Sequence, residues 1–564
     1  MRPAALSSED RARALRLLGS GDELDVLVIG GGVVGAGAAL DAATRGLRVG
    51  LVEARDWASG TSSRASKLIH GGLRYLEMLD FGLVREALRE RGLLMRRLAP
   101  HLVRPVPFLY PLTHRVWERP YVGAGILLYD TMGASRETPR HRHLTKRHAL
   151  RVAPGLSPDV LVGAVQYWDA QVDDARHTMS LVRTAASYGA LVANQAKVVD
   201  YLRDGKRVVG AVVADQETGE RISVRAKRVI SATGVWTDET QALADAASVR
   251  VRASKGVHLL VPRDRIDAQT GLILRTEKSV LFVIPWERHW IVGTTDTDWD
   301  LDKEHPAASA ADVDYLLTHV NRVLVTPLTK DDIDGVYAGL RPLLSGKDED
   351  TTKLSREHIV GSPVPGLVVV AGGKYTTYRV MAKDAVDEAV RGLGSDEWDV
   401  PASVTEDIPL VGAEGYHALW NGRAALARDH GLPVERVERL LRRYGSLVGE
   451  VLDLIAADPA LARPLPSGDA YLRAEVRYAA THEGARTVTD VLARRVRLAI
   501  ESADRGAESA EATAEILGVA LGWDDQRVGR EAAAYLRHVQ AERDGEGQPD
   551  DLGAVAALRA QGAG

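Results

Sequence analysis

Residues 25–29 read DVLVI, a β-branched run without polar alternation after its first position. Such a run fits a strand covered on both faces. GGGVVG follows, and small residues fill Val33 to Arg45 before Gly46. The pattern predicts a tight turn, a helix stopped by that glycine, and a second strand in RVGLVE. Strand, helix and strand in so short a span predict a parallel pair joined by a right-handed crossover. Residues 81–98 carry helical spacing, whereas residues 104–170, rich in Pro, Trp, Tyr and Arg, show no clear period. A helix fits 174–188, stopped by Gly189, with strands expected at 190–200, 207–214, 220–225 and 228–232. Residues 249–345 alternate strands such as GVHLLVP, SVLFVIPW and HWIVGTTD with turns, which predicts a mostly antiparallel sheet. LVVVA at 367–371 repeats the buried-strand pattern, with GGKYTTY and a helix over 379–390 behind it.

The expected fold class is α/β: a Rossmann-like βαβ unit interleaved with an antiparallel sheet, plus an α-helical C-terminal domain. Residues 392–415 turn rich in Gly, Pro and Asp, as a linker does. Beyond them Ala, Leu, Arg and Glu recur at helical spacing. The expected boundaries are an N-terminal extension over 1–24, a main domain over 25–395, a helical domain over 405–542 and a flexible tail over 543–564. The extension has no signal-peptide core and fits a short amphipathic surface helix carrying Leu15, Leu17 and Leu18. Val26 to Leu40, the longest weakly polar run, is too short and too glycine-rich for a membrane span.

Composition narrows the chemistry. The 564 residues are 45% hydrophobic and 26% charged, with a formal net charge of −5, so no global basic field points to nucleic acid. Cysteine is absent, which excludes disulfides, thiolate nucleophiles and Cys-held metal or iron–sulfur centres.

Gly30-x-Gly32-x-x-Gly35 sits between a predicted strand and helix, where glycine lets backbone N–H groups approach a pyrophosphate at the helix N-terminus. Glu53 closes the next strand and can accept hydrogen bonds from ribose hydroxyls. A merely structural glycine turn would not require that acid. Two later features favour FAD over NAD. VISATGVW ends a strand in a small turn, with Ala232 and Gly234, that suits the adenine half. VVVAGGKYTTY, with Gly373 and Thr376, brings a further helix N-terminus whose dipole stabilises negative charge on a reduced flavin ring. Each alone is an ordinary strand–loop–helix; together they point to FAD.

TSSRASKLIHGGLRYLE, residues 61–77, follows that acid. Thr61, Ser62, Ser63, Ser66, Lys67 and His70 supply hydroxyls and cations along a path expected to wrap the cofactor. Gly71 and Gly72 permit close backbone approach, and Arg74 and Tyr75 then face substrate. A solvated polar loop is the alternative reading.

That run, with GGGVVGAG at the N-terminus, closely resembles FAD-dependent glycerol-3-phosphate dehydrogenases, the quinone-linked family that also includes oxygen-using glycerol-3-phosphate oxidases. Further matches follow in order: WDAQVDDAR, ATGVW, KGVHLLVP, FVIPW, GTTD, YAGLRPLL and GGKYTTYR. The resemblance covers residues 25 to 390 and implies oxidation of sn-glycerol 3-phosphate to dihydroxyacetone phosphate, with FAD as cofactor. It implies substrate contacts from Arg74, Tyr75, His258, Arg341, Arg356 and Lys374. Arg and Lys suit a phosphate monoester as fork and point charge. Gathering cations is otherwise unfavourable, because two at about 6 Å repel by roughly 3 kcal/mol at an effective dielectric of 20. His258 is the expected general base, and Arg341 the group that stabilises alkoxide charge or holds substrate. Val257 departs from the family pattern, which places a small hydroxyl residue beside that histidine; the departure puts the local geometry in question.

The expected acceptor is a quinone, with oxygen as the alternative. The expected location is the cytoplasm, with peripheral attachment to the cytoplasmic face of the membrane. The sequence leaves the oligomeric state open between monomer and homodimer. A flavin amine or amino-acid oxidase, an FAD-holding protein without turnover and an NAD-linked dehydrogenase are the competing classes; the matched cations disfavour the amine substrate. No metal is expected. Asp173–Asp174 reads as a loop or helix cap rather than a metal pair, and His141, His143 and His148 as a solvated basic segment. Trp117, Tyr121, Tyr129 and Met132 fit either a membrane or quinone surface or core.

Overall fold

The computed structural model describes residues 3–72, 80–114, 117–133, 138–276, 280–345, 358–393 and 399–560. Leu24–Ile29 is the centre of a sheet in which it pairs in parallel with Val49–Val52 and with Arg221–Ser231. Leu191–Ala193 extends the sheet on one side and Leu367–Gly372 on the other, both in parallel. His358–Val364 closes the second edge antiparallel. Val26 and Val28 join a core with the helices Val33–Thr44, Asp174–Ser187 and Tyr378–Arg391, while Leu27 and Ile29 join the core on the other face. Cover on both faces is why the opening run carries no alternation.

The second sheet has ten strands and is antiparallel except where Gly271–Arg275 runs parallel to Arg104–Leu112. Its centre is Val251–Pro262, flanked by Gly335–Leu344 and His289–Gly293. The register sets His258 opposite Gly293 and Tyr337, and Ser254 opposite Arg341.

Three expectations need correction. Residues 104–170, without visible period, contain two long strands, Arg104–Leu112 and Gly163–Gln171, with the helix Glu118–Gly133 between them. Pro105, Pro107 and Pro111 occupy one face of the first strand while Val106, Phe108, Tyr110 and Leu112 fill the core on the other, so the period of two is real but is written with proline. The strands expected at 220–225 and 228–232 are one, Arg221–Ser231, which changes partner midway from the antiparallel 207–215 to the parallel opening strand. The expected flexible tail is largely helical: Asp525–Glu546 runs into it and Asp551–Ala560 follows, burying Val555 and Leu558. The N-terminal helix Ser8–Leu18 is likewise tied down, with Leu18 buried and Arg11 paired to Asp215 at 2.5 Å.

Candidate active site

A cavity of about 1100 Å³ runs between the C-terminal ends of the parallel strands and the second sheet. Its nucleotide end is made by backbone. Gly30 has φ +110°, and a Cβ there would lie 2.6 Å from the Ala232 carbonyl oxygen. A Cβ on Gly35 would run into the Gly30 carbonyl, so this glycine sits behind the cavity wall and permits close helix–strand packing. Gly32 caps the helix with no side-chain bond of its own, and the Val33 N–H donates to Ser62 Oγ at 2.9 Å. Glu53 lines the cavity and accepts from the N–H groups of Gly31 (2.6 Å) and Arg55 (2.8 Å). Burial pushes its carboxyl above the usual range, opposed by those N–H groups and by the Arg55 charge.

The loop after Glu53 divides into two faces. Thr61, Ser62, Ser66, His70 and Gly72 line the cavity, as do Ala232, Gly234, Gly373, Lys374 and Thr376 from the later strand ends. Thr61 donates to the Leu340 carbonyl at 2.6 Å, tying the loop to the second sheet, and the His70 N–H donates to Thr376 Oγ1 at 3.2 Å. Ser63, Lys67 and Gly71 do not line the cavity. Lys67 is fully buried with φ +58°; its ammonium donates to Asp174 at 2.9 Å and to the Ser63 carbonyl at 3.1 Å. The Gly71 N–H donates to Tyr129 Oη, and a Cβ there would strike Leu88. These three hold the loop from behind.

At the far end His258 is 2% exposed, stacked on Tyr337 with centroids 4.7 Å apart, and its Nε2 lies 2.8 Å from Ser66 Oγ. Burial first, then the charges of Arg341 and Lys67, hold its pKa well below the ordinary 6.5. The ring is therefore neutral at pH 7 and able to accept a proton. Arg341 donates to Thr294 Oγ1 (3.0 Å) and the Thr295 carbonyl (3.1 Å), with Asp296 at 3.3 Å. Val257 points the other way, into an apolar cluster, and only its N–H contacts this region, at Thr295 Oγ1. The departure from the family pattern thus leaves the cavity wall untouched. Arg74, Tyr75 and Arg356 lie outside the described residues.

Residues 25–387 match the family model described as FAD dependent oxidoreductase, and residues 403–528 match the C-terminal domain of alpha-glycerophosphate oxidase. The chain belongs to the FAD dependent oxidoreductase family. It is 57% identical over 552 residues, 98% of this chain and 94% of that protein, to glycerol-3-phosphate dehydrogenase 2 of Mycobacterium tuberculosis. It is 38% identical to the mitochondrial glycerol-3-phosphate dehydrogenase of Homo sapiens, with 93% of this chain and 74% of that protein covered. A solved structure of glycerol-3-phosphate dehydrogenase from Bacillus halodurans complexed with FAD superposes with a TM-score of 0.78 at 28% identity, covering 95% of this chain and 98% of that one.

The residues of this flavoenzyme fit its cofactor. The glycine positions that exclude a Cβ, the helix N-terminus at Gly32 and the acid beyond the second strand form one continuous nucleotide cradle. Beyond that cradle the same cavity continues to His258 and Arg341.

Sequence reasoning missed several participants. Asp296 and Thr294, which orient Arg341, lie in the GTTD motif, and Tyr337, which stacks on His258, begins YAGLRPLL. Strand alternation around Arg341 and His258 was the available signal. Asp173 caps the helix Asp174–Ser187, accepting from the Arg176 N–H at 3.2 Å, and Asp174 binds Lys67 and Arg497. Among the described residues no three His, Asp or Glu side chains come together as a metal site. His141 pairs with Asp130 at 2.7 Å. Tyr129 is buried and donates to Asp169, whereas Trp117 and Tyr121 are each 53% exposed.

Proposed function

We propose that the protein oxidises sn-glycerol 3-phosphate to dihydroxyacetone phosphate and passes the electrons to a quinone. The observation that carries the reading is that buried His258 and Arg341, held by Thr294 and the Thr295 carbonyl, line the same end of a flavin-sized cavity. When bound, FAD supplies the acceptor for the hydride leaving the carbon that bears the secondary hydroxyl. His258 accepts the hydroxyl proton, which makes hydride loss easier. Arg341, held by Thr294, Thr295 and Asp296, presents its charge toward the developing alkoxide. Lys374 lines the same cavity and, with Arg74 and Arg356, balances the phosphate charge; Tyr75 completes the substrate contacts. Cationic groups at these positions favour a phosphate over an amine substrate.

Among the described residues no helix is long and apolar enough to cross a membrane. Access to a quinone therefore calls for a docking face. Trp117, Tyr121, Leu127 and Leu128 are exposed on or beside the helix Glu118–Gly133, and Arg142, Lys146 and Arg147 are exposed on the adjoining segment. Aromatic and aliphatic side chains bordered by cations suit an anionic bilayer surface, here the cytoplasmic leaflet.

Anaerobic addition of sn-glycerol 3-phosphate to the yellow holoenzyme should bleach the flavin, and a soluble quinone should restore the colour faster than air does. Faster recovery in air would make the protein an oxidase, and a flavin that stays oxidised would remove the substrate assignment. Vesicles containing anionic lipid should carry the protein at low salt. Absence of binding would overturn the docking face.

A further inference from the structure

The back of the substrate sheet is held by a segment beyond both family matches. The terminal helix Asp551–Ala560 follows the last residue of the C-terminal family model, 528, by more than a full helix. Its Ala554, Val555 and Leu558 join one apolar cluster with Ala253, Leu340 and Val235, together with Trp299, Ala307 and Ala541. Ala253 belongs to the strand that carries His258, and Leu340 precedes Arg341 and accepts the Thr61 hydroxyl. Val235 lies in the turn that lines the cofactor end of the cavity.

A polar bond reinforces this packing. Lys255, 0% exposed, points out of the back of that strand, and its ammonium donates to Asp312 at 2.6 Å and to Asp551 at 2.5 Å. Ser309 donates to both carboxylates, and the Ala310 N–H donates to the Gln548 carbonyl at 2.8 Å. Ser254 and Gly256, the neighbours of Lys255, sit on the front: Ser254 bonds Asp296 and pairs in register with Arg341, and Gly256 lines the cavity. Successive side chains on a strand face opposite sides, so a force on Lys255 from behind sets the height of its neighbours in front.

We propose that Asp551 is a positioning residue for the substrate end of the site. By fixing Lys255, the terminal helix sets the strand that presents Ser254, Gly256 and His258 and, through Ser254 and Asp296, aims Arg341. The proposal rests on the reading of His258 and Arg341 above. Loss of Asp551 alone leaves Lys255 paired to Asp312, so the buried ammonium keeps a counter-charge and the fold survives.

The test compares holoenzymes of the wild type, Asp551→Asn, Asp551→Glu and a chain ending at 547. Asp551→Asn should lower kcat and kcat/KM for sn-glycerol 3-phosphate about tenfold, since small misplacements remote from the chemistry are felt at the site. KM should stay within about threefold and flavin content should not change, and Asp551→Glu should return kcat to within about twofold. Hydrogen exchange should quicken in residues 251–262 of Asp551→Asn, and further in the shortened chain, but not in 473–482. A lower melting temperature with kcat and exchange unchanged would overturn the proposal. So would equal quickening in both segments, or loss of FAD as the primary defect. If the wild type is not reduced by this substrate, the functional reading fails, while the exchange comparison still decides whether the helix sets the strand.

Discussion

The two ends of the cavity are built from different materials. At the nucleotide end the wall is main chain: a Cβ at Gly30 or Gly35 would collide with a carbonyl, and Glu53 is fixed by two N–H groups. At the substrate end the wall is a set of side chains that hold one another, Arg341 by Thr294 and Asp296, His258 by Ser66 and Tyr337. Main-chain sterics fail abruptly, because a carbonyl cannot move aside without the strand. A side-chain network fails by degrees, because each bond contributes only part of the alignment. Substitutions at the first end should therefore abolish binding, and those at the second should grade activity.

The sharpest break in that comparison is Gly35→Val. The helix cannot approach the opening strand, and the purified protein should be colourless and fail to take up FAD; a yellow protein would show that the close approach is dispensable.

His258→Asn comes next. The expected loss in kcat is about 10²–10⁴-fold with flavin retained, as for removal of a positioned base. The same histidine sets the pH response. Its pKa lies well below 6.5, so the active, neutral ring persists as pH falls from 8 to 6.5, and the acid limb of kcat/KM should appear below 6.5. A limb centred at 6.5 or above would contradict a buried neutral ring.

Asp56→Asn tests a third kind of joint. Asp56 accepts from Arg494 at 2.5 Å and from Arg495 at 2.8 and 2.7 Å, joining the cofactor region to the helical domain. Although burial opposes it, Arg495 and Arg494 hold this carboxyl below the usual range. Its stabilising contribution is thus present above the ordinary carboxylate pKa and lost as pH falls through the lowered one. Arg494 keeps Asp490 at 2.6 Å and Arg495 keeps the Glu483 carbonyl at 2.8 Å, so losing this charge should cost about 1–3 kcal/mol of stability, read by denaturant melts at pH 7.

The smallest effect on activity is expected from Val257→Thr. The side chain lies in the apolar cluster, so the hydroxyl should cost about 1–3 kcal/mol of stability with kcat and KM nearly unchanged. A large kinetic effect would mean that this position reaches the substrate.

What the sequence disclosed follows the same division. The glycine motif, Glu53 and the order of strands and helices were readable because each depends on residues close in the chain. The antiparallel character of the second sheet was readable from its short strands and turns. Strand Arg104–Leu112 was hidden because proline is read as a breaker, although every second position is apolar. The terminal helix was hidden because Gly545, Gly547 and Pro549 suggest a frayed end, whereas they mark the corner between two packed helices. Lys67 shows the limit most clearly. A cation in a loop expected to wrap an anion is expected to face it, but a positive φ and the distant Asp174 turn Lys67 inward. Partners more than a hundred residues away decide such directions, and no local pattern reports them.

The most direct test is stopped-flow reduction of the bound flavin without oxygen, using sn-glycerol 3-phosphate with hydrogen or deuterium at the carbinol carbon. In the wild type the deuterated substrate should reduce the flavin more slowly, and His258→Asn should slow the step by about 10² or more while the flavin stays bound. Equal flavin reduction rates in wild type and variant would show that His258 is not the base, and no reduction in either would show that this cavity oxidises something else.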